Sequence, residues 1–140
     1  MTRFAATTSV PVDRSRAEIE QTLARYGATA FGYLTEIGRT IIMFEASGRR
    51  IKISIGMPKG DSEKEKQEAR QKWRALLLVI KAKLESVGSG IETLEEAFYA
   101  NIVLPDGQTI YEHTRQRVAI AYKEGHVRPL LADYSKRAPG

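Results

Sequence analysis

The stretch 60–88 constrains the fold most, because it holds the longest helical repeat of apolar residues in the chain. Its apolar side chains recur at helical spacing, so at about 100° per residue they share one face of a helix. They are Trp73, Leu76, Leu77, Ile80, Leu84 and Val87. Ser62 and Glu65 form a capping box, and Gly88 can adopt the left-handed conformation that ends a helix. These signals predict a long central helix that starts at Ser62 and forms the spine of the core.

The central helix also carries a run of positive charge. From Ala69 to Leu84 there are five Lys or Arg residues and no acidic residue. Arg70, Arg74 and Lys81 fall close together on the helical wheel, beside the apolar face. Two interpretations are open. The cations form a solvated helix face with intrahelical ion pairs, or they form a track that binds the phosphates of a nucleic acid.

Length and composition indicate one folded domain. A chain of 140 residues with 42% hydrophobic residues is long enough to bury a core. It has no cysteine, which excludes disulfides and thiol nucleophiles and favours a cytoplasmic location. No apolar run approaches the ~20 residues that span a bilayer, and the N-terminus is too polar for a signal peptide. We therefore expect no membrane contact.

The chain before the central helix predicts one helix and three strands. Ser15 and Glu18 form a second capping box and Gly27 supplies a stop, which predicts a first helix near 16–26. The apolar period then changes from about 3.6 residues to about 2. Strands are predicted at 29–37, 39–46 and 49–56, joined by turns at Gly38 and at Ser47-Gly48.

The two turns set the strand register and separate the faces of the sheet. Phe44 is predicted opposite Ile51 across the second turn and opposite Phe31 across the first. Ile42 is likewise predicted beside Tyr33. One face of the sheet is therefore almost wholly apolar, and we expect it to pack on the central helix.

The reverse face of the predicted sheet mixes apolar and charged side chains. The apolar residues that we assign to an interface are Leu34, Ile41 and Met43, and the cations are Arg39, Arg50 and Lys52. Three interpretations are open. The C-terminal helices cover the apolar half, a second copy of the chain pairs with it, or the face is a platform on which the cations bind phosphates.

The chain after the central helix predicts two more helices. Ser89 with Glu92 and Thr109 with Glu112 form two further capping boxes, and an apolar stripe from Tyr111 to Tyr122 lines the last helix. The predicted fold class is α+β. It is a three-stranded antiparallel meander with an N-terminal helix and a long central helix, in the order α-β-β-β-α, followed by two C-terminal helices. We expect an N-terminal arm at 1–12, a single domain at 13–131 and a tail at 132–140. The body of the domain is 13–88, and the C-terminal helical pair is 89–131.

Sequence patterns of enzymes are mostly missing. The chain has no glycine-rich phosphate loop and no nucleophile elbow. Its two histidines, His113 and His126, lack the spacing of metal ligands. A divalent-ion enzyme such as a nuclease would need Glu92, Glu95 and Asp106 to converge. We therefore predict no catalytic residue, no metal and no cofactor.

Several runs of the sequence resemble a known group of proteins. They are the run from Ser15-x-x-Glu-Ile-Glu through Tyr26-Gly-Ala and Phe31-Gly-Tyr, the stretch from Trp73 to Glu85, and Leu104-Pro-Asp-Gly. They are similar to small proteins of tailed bacteriophages and prophages that have no established activity, over roughly residues 8–131. The resemblance implies a phage origin and no mechanism.

The order α-β-β-β-α over 15–87 is also similar to that of the double-stranded RNA-binding domain. That family has a basic cluster at the start of its second helix, where this chain has the acidic stretch 61–66. The RNA contacts of the family are therefore not carried over to this chain.

Two functional hypotheses follow. In the first, the formal net charge of +5 favours an anionic partner, and a phage-type accessory protein binds nucleic acid non-specifically in replication, recombination or DNA protection. Its binding residues are Arg39, Arg50, Lys52, Arg70, Arg74 and Lys81. The alternative is a protein-binding module that inhibits or redirects a host defence protein through Leu34, Ile41 and Met43. We expect a homo-oligomer in the host cytoplasm in either case.

Overall fold

A computed structural model describes residues 7–131. The predicted arm is thus described only from residue 7, and the predicted tail at 132–140 lies outside the described residues. The helices are α1 (Val12–Arg25), α2 (Glu63–Gly88), α3 (Leu94–Ala97) and α4 (Ile110–Glu124), with a 3₁₀ turn at Tyr99–Asn101. The strands are β1 (Ala30–Glu36), β2 (Arg39–Ala46) and β3 (Arg49–Gly56). The α+β fold class and the order α-β-β-β-α are confirmed.

Helix α2 is the predicted central helix. The Ser62 hydroxyl accepts a hydrogen bond from the Glu65 N–H at 3.2 Å, and the Glu65 carboxylate accepts one from the Ser62 N–H at 3.4 Å. The predicted apolar face is buried at Trp73, Leu76, Leu77, Ile80 and Leu84. The end of the helix differs from the prediction, because Gly88 is still helical and Gly90 takes the positive φ of 75°.

The sheet has the predicted order and register. Strands β1, β2 and β3 form an antiparallel meander in which Phe44 lies opposite both Phe31 and Ile51. Burial alternates along β2, where Ile42 and Phe44 belong to the same buried cluster as the apolar face of α2. The apolar face of the sheet therefore packs on α2, as predicted.

Helix α1 begins earlier than predicted, and the capping box at Ser15 and Glu18 is wrong. Pro11 precedes the helix with φ −60° and ψ 149°, and no side chain caps the first turn. A proline suits this position because its φ is preset and it has no N–H to satisfy. Ser15 is buried within the helix, where its hydroxyl has no hydrogen-bond partner in the described structure. Glu18 is therefore available for another interaction.

Helix α3 is short, and the capping box at Ser89 and Glu92 is also wrong. Ser89 caps the end of α2, since its N–H bonds to the Glu85 carbonyl at 2.9 Å. The box that forms is Thr93 with Glu96, and it opens a helix of only 4 residues. The segment after it still joins the core, because the Phe98 ring meets the Phe44 ring edge to face at 5.3 Å.

Helix α4 has the predicted ends but not a buried face. Thr109 and Glu112 form the predicted capping box, and Gly125 ends the helix with φ 78°. This helix is described throughout, and none of its residues is buried. The stripe that includes Tyr111 and Tyr122 is exposed to solvent. The apolar spacing thus predicted the helix correctly without predicting what the helix packs on.

Two adjacent leucines of α2 provide a test of this packing. Leu77 is 0% exposed and Leu78 is 38% exposed. Replacing Leu77 with Ala removes buried methyl groups and leaves a cavity, so we expect a loss of about 2–5 kcal/mol in the free energy of unfolding. Leu78→Ala is the matched control and should cost less than about 1 kcal/mol. Urea denaturation of both variants measures the difference, and equal losses would contradict the packing.

Candidate nucleic-acid interface

Helices α1 and α2 lie side by side and run in the same direction. Near the start of both helices, Gln67 Nε2 donates to the Thr8 carbonyl at 2.8 Å. Near their ends, the Tyr26 hydroxyl donates to Glu85 Oε2 at 3.4 Å. The start of α1 thus lies beside the start of α2, and the end of α1 lies beside the end of α2, so the two helices are parallel. This arrangement brings charged side chains of α1 next to the basic side of α2.

Three cations converge on one carboxylate between these helices. Arg74 Nη1 lies 3.1 Å from Glu18 Oε2, and Lys81 Nζ lies 3.8 Å from the same oxygen. Arg14 Nε lies 3.4 Å from Glu18 Oε1. The cluster contains the Glu18 carboxylate and three cations, which come from both helices. It leaves a surplus of two positive charges at this place.

The three cations lower the pKa of the Glu18 carboxyl. Burial disfavours its charged form, but the hydrogen bond from Arg74 and the charges of Arg74, Lys81 and Arg14 outweigh this effect. The pKa of the Glu18 carboxyl therefore lies below its ordinary value of 4.5. The carboxylate is ionised at neutral pH and holds the cations in place.

Arg70 extends the same charged surface by one turn of α2. Its guanidinium donates twice to Gln67 Oε1, at 3.0 and 2.8 Å. Gln67 is a neutral acceptor, so these bonds orient the guanidinium without cancelling its charge. We call Arg14, Glu18, Arg70, Arg74 and Lys81 together the basic seam. It contains four cations and one carboxylate.

The cations of the sheet are arranged differently, because each meets its own carboxylate. Arg39 lies 2.8 Å from Glu36, and Arg50 lies 3.1 Å from Glu45. Lys52 lies 3.2 Å from Glu112, which also caps α4. The three positive charges are thus balanced by three negative ones. This face has no charge surplus comparable with that of the basic seam.

The apolar residues predicted on the reverse face are not enclosed by the rest of the chain. Leu34 is 54% exposed, and Ile41 and Met43 are half-buried. In the sheet register, Leu34 of β1 lies opposite Ile41 of β2. Met43 follows two residues after Ile41 on β2 and therefore lies on the same face. The C-terminal segment contacts this face at β3, where Glu112 pairs with Lys52. The three residues therefore form a small apolar patch that is open to solvent.

The six predicted binding cations do not form one site. The helix group belongs to the basic seam, while the sheet group lies on the reverse face, on the other side of the sheet from α2. Sequence reasoning missed Arg14 and Glu18 because Glu18 was assigned to a capping box. Their spacing of four residues within a helix is a signal for an ion pair and could have indicated them.

The acidic residues considered for a divalent ion are engaged separately. Glu95 pairs with Arg49 at 3.2 Å, and Asp106 Oδ2 lies 2.7 Å from His113 Nε2. In the part of the chain that the structure describes, no group of three or more His, Asp or Glu side chains is placed to hold a metal ion. Glu95 and Asp106 are thus held by different partners.

Comparison with known proteins adds no relative. No protein-family model, curated protein or solved structure matches the chain. Among residues 7–131, no helix has the length and apolar character needed to cross a bilayer.

The basic seam predicts a pH dependence of stability. Because the pKa of Glu18 is lowered in the folded state, its ionised form stabilises the fold above about pH 4.5, and this contribution is lost as the pH falls through the folded-state pKa. We expect Glu18→Gln to reduce the free energy of unfolding at pH 7 and to cost progressively less as the pH falls below about 4.5.

Urea denaturation of the wild type and the variant over this pH range measures the difference. An Arg74→Gln background provides the control, since the effect of Glu18→Gln should be smaller once its main partner is gone. If the free energies of unfolding of the wild type and Glu18→Gln differ by the same amount from neutral to acidic pH, the ionised Glu18 is not stabilised by the cations of the seam.

Proposed function

We propose that this protein binds nucleic acid through the basic seam, without strong sequence preference. The observation that carries the proposal is the convergence of three cations on Glu18. A surface that carries surplus positive charge attracts the phosphate backbone and releases its counterions. Contacts to phosphate position a protein on a nucleic acid but carry no sequence information. Action in replication, recombination or DNA protection is part of the proposal and rests on the resemblance to phage proteins.

The geometry of the seam suits phosphate binding for a second reason. Glu18 and Gln67 hold the guanidinium groups of Arg74 and Arg70 in defined positions. Less side-chain freedom is then lost when a phosphate binds. An arginine engaged by one acceptor keeps other N–H donors for a phosphate oxygen. The side chains of Arg14 and Lys81, 71% and 43% exposed, leave these cations accessible to a ligand.

Salt dependence is the direct test of the proposal. We expect the wild-type protein to bind a labelled oligonucleotide at about 50 mM salt, with an affinity that falls steeply as salt is added. Replacing Arg14 and Lys81 with Gln should reduce the slope of log K against log salt by about 2, because two phosphate contacts are lost. Single- and double-stranded DNA and RNA serve as separate arms of the fluorescence titration.

The matched control removes the same charge from the other surface. The double variant Arg39→Gln, Arg50→Gln lowers the net charge by the same amount but leaves the basic seam intact. Its slope should stay close to that of the wild type. An equal decrease of the salt slope in the two double variants would show that binding depends on net charge alone. If the wild type binds none of the four nucleic acids, the proposal is wrong.

A second candidate function is supported by the apolar patch on the reverse face. There, exposed Leu34 adjoins half-buried Ile41 and Met43, and the surrounding cations are already paired. An apolar centre with a polar rim is typical of protein interfaces. The function would be that of a protein-binding module that inhibits or redirects a host protein.

Capture from nuclease-treated host lysate tests this second function. A protein partner should be retained by the wild type and by the double variant Arg14→Gln, Lys81→Gln. It should be lost from Leu34→Asp, because a charge in the centre of an apolar interface is costly to desolvate. A partner that Leu34→Asp still retains, or no stoichiometric partner at all, would exclude docking on this face.

A further inference from the structure

Strand β1 is an open edge of the sheet. The sheet order is β1-β2-β3, and among the described residues β2 is the single segment that pairs with β1. The other edge, β3, is partly covered by the C-terminal segment. The Val103 N–H donates to the Arg50 carbonyl at 2.8 Å, and Asn101 Nδ2 donates to the Lys52 carbonyl at 3.0 Å. The C-terminal segment therefore covers part of β3, while β1 has no such cover in the described structure.

The backbone groups that face the open edge can be identified from the ladder. The Met57 N–H donates to the Gly38 carbonyl at 2.9 Å on the β3 side of β2. Hydrogen bonding alternates along an antiparallel strand, so even-numbered residues of β2 bond to β3 and odd-numbered residues bond to β1. The odd-numbered residues Arg39, Ile41 and Met43 of β2 pair with Glu36, Leu34 and Gly32 of β1. By the same alternation, Phe31, Tyr33 and Thr35 direct their N–H and C=O groups outward.

This edge lacks the features that keep exposed strands from pairing. Natural edge strands are usually short, or carry lysine, proline or a bulge. Strand β1 has 7 residues and contains no lysine or proline. Its residues pair with β2 one to one without interruption from Ala30 to Glu36. Such an edge is a template for another strand.

We propose that β1 pairs antiparallel with β1 of a second copy of this chain, about a twofold axis at Tyr33. This is the one antiparallel register that pairs all 7 residues of each strand. It joins the outward-facing backbone groups of Phe31, Tyr33 and Thr35 in about six hydrogen bonds. Glu36, the one charged residue of the strand, then lies opposite Ala30 of the second copy, so no like charges meet.

The side chains of the reverse face fit the same register. It places Leu34 of each copy opposite Gly32 of the other. No atom lies within 4 Å of the position that a Cβ would take on Gly32, so the space beside this glycine is open. Leu34, which is 54% exposed in one chain, gains a neighbour there. The apolar patches of the two copies then join across the axis.

The dimer has a consequence for the basic seam. The twofold axis of an antiparallel strand pair is perpendicular to the sheet, so both copies keep the same face on the same side. The two seams would therefore lie on one side of a six-stranded sheet and could contact one nucleic acid together, which raises apparent affinity. The pairing itself depends on β1 alone and stands apart from the proposed function.

Molar mass in solution tests the pairing. We expect light scattering on the full chain to give twice the 15.7 kDa of one chain. Thr35→Pro removes an outward N–H that takes no part in the β1–β2 ladder, so it should give a folded monomer. Thr35→Ala keeps this donor and should remain a dimer. If Thr35→Pro fails to fold by circular dichroism, Leu34→Lys replaces it, since a lysine on an edge strand opposes pairing.

Cysteine cross-linking tests the register. The chain has no native cysteine, so single replacements are unambiguous. Opposite residues in a non-hydrogen-bonded pair lie about 4.5 Å apart at Cα, within the range that a disulfide spans. A mixture of Gly32→Cys and Leu34→Cys chains should form a disulfide-linked heterodimer under mild oxidation, and neither variant alone should do so as readily. A wild-type monomer at all concentrations, or a dimer that Thr35→Pro and Leu34→Lys both leave intact, would overturn the proposal.

Discussion

The burial of the apolar face of α2 against one face of the sheet is the interaction on which the rest of the structure depends. Leu77 and Ile80 of the helix and Ile42 and Phe44 of β2 are essentially excluded from water and belong to one cluster. Burial of such side chains is the main favourable term in folding. Because a helix covers only one face of a three-stranded sheet, the other face stays open. Helix α1 packs beside α2 and adds Ile19 and Leu23 to the same cluster, and the basic seam arises between the two helices.

The ratio of cations to carboxylates distinguishes the two charged surfaces. On the sheet, each of the three cations has its own carboxylate, so the charges balance. In the seam, Arg14, Arg74 and Lys81 share Glu18. Exposed ion pairs contribute little to stability, so balanced pairs are expected on any solvated surface. A shared carboxylate leaves surplus charge at a fixed place, and this surplus is the feature that favours a polyanionic ligand.

Local patterns predicted the elements of this fold, while its charged site depended on long-range packing. The helix start at Ser62 was predictable because both partners of the box lie within one turn. The same pattern failed at Ser15, which the fold buries, and at Ser89, which α2 uses as its own cap. Strand register followed from two short turns and an alternating apolar face. The pairing of Arg74 with Glu18, 56 residues away in sequence, depends on how α1 packs beside α2 and leaves no local signal.

The most direct measurement is a titration of the isotope-labelled protein with a short oligonucleotide, followed by backbone amide chemical shifts. If the basic seam is the binding surface, the largest shifts will map to α1 and α2 around Arg14, Arg74 and Lys81 and will disappear at high salt. The amides of β2 and β3 beside Arg39 and Arg50 will move little. Shifts centred on the sheet, or none at low salt, would contradict the assignment of nucleic-acid binding to the seam.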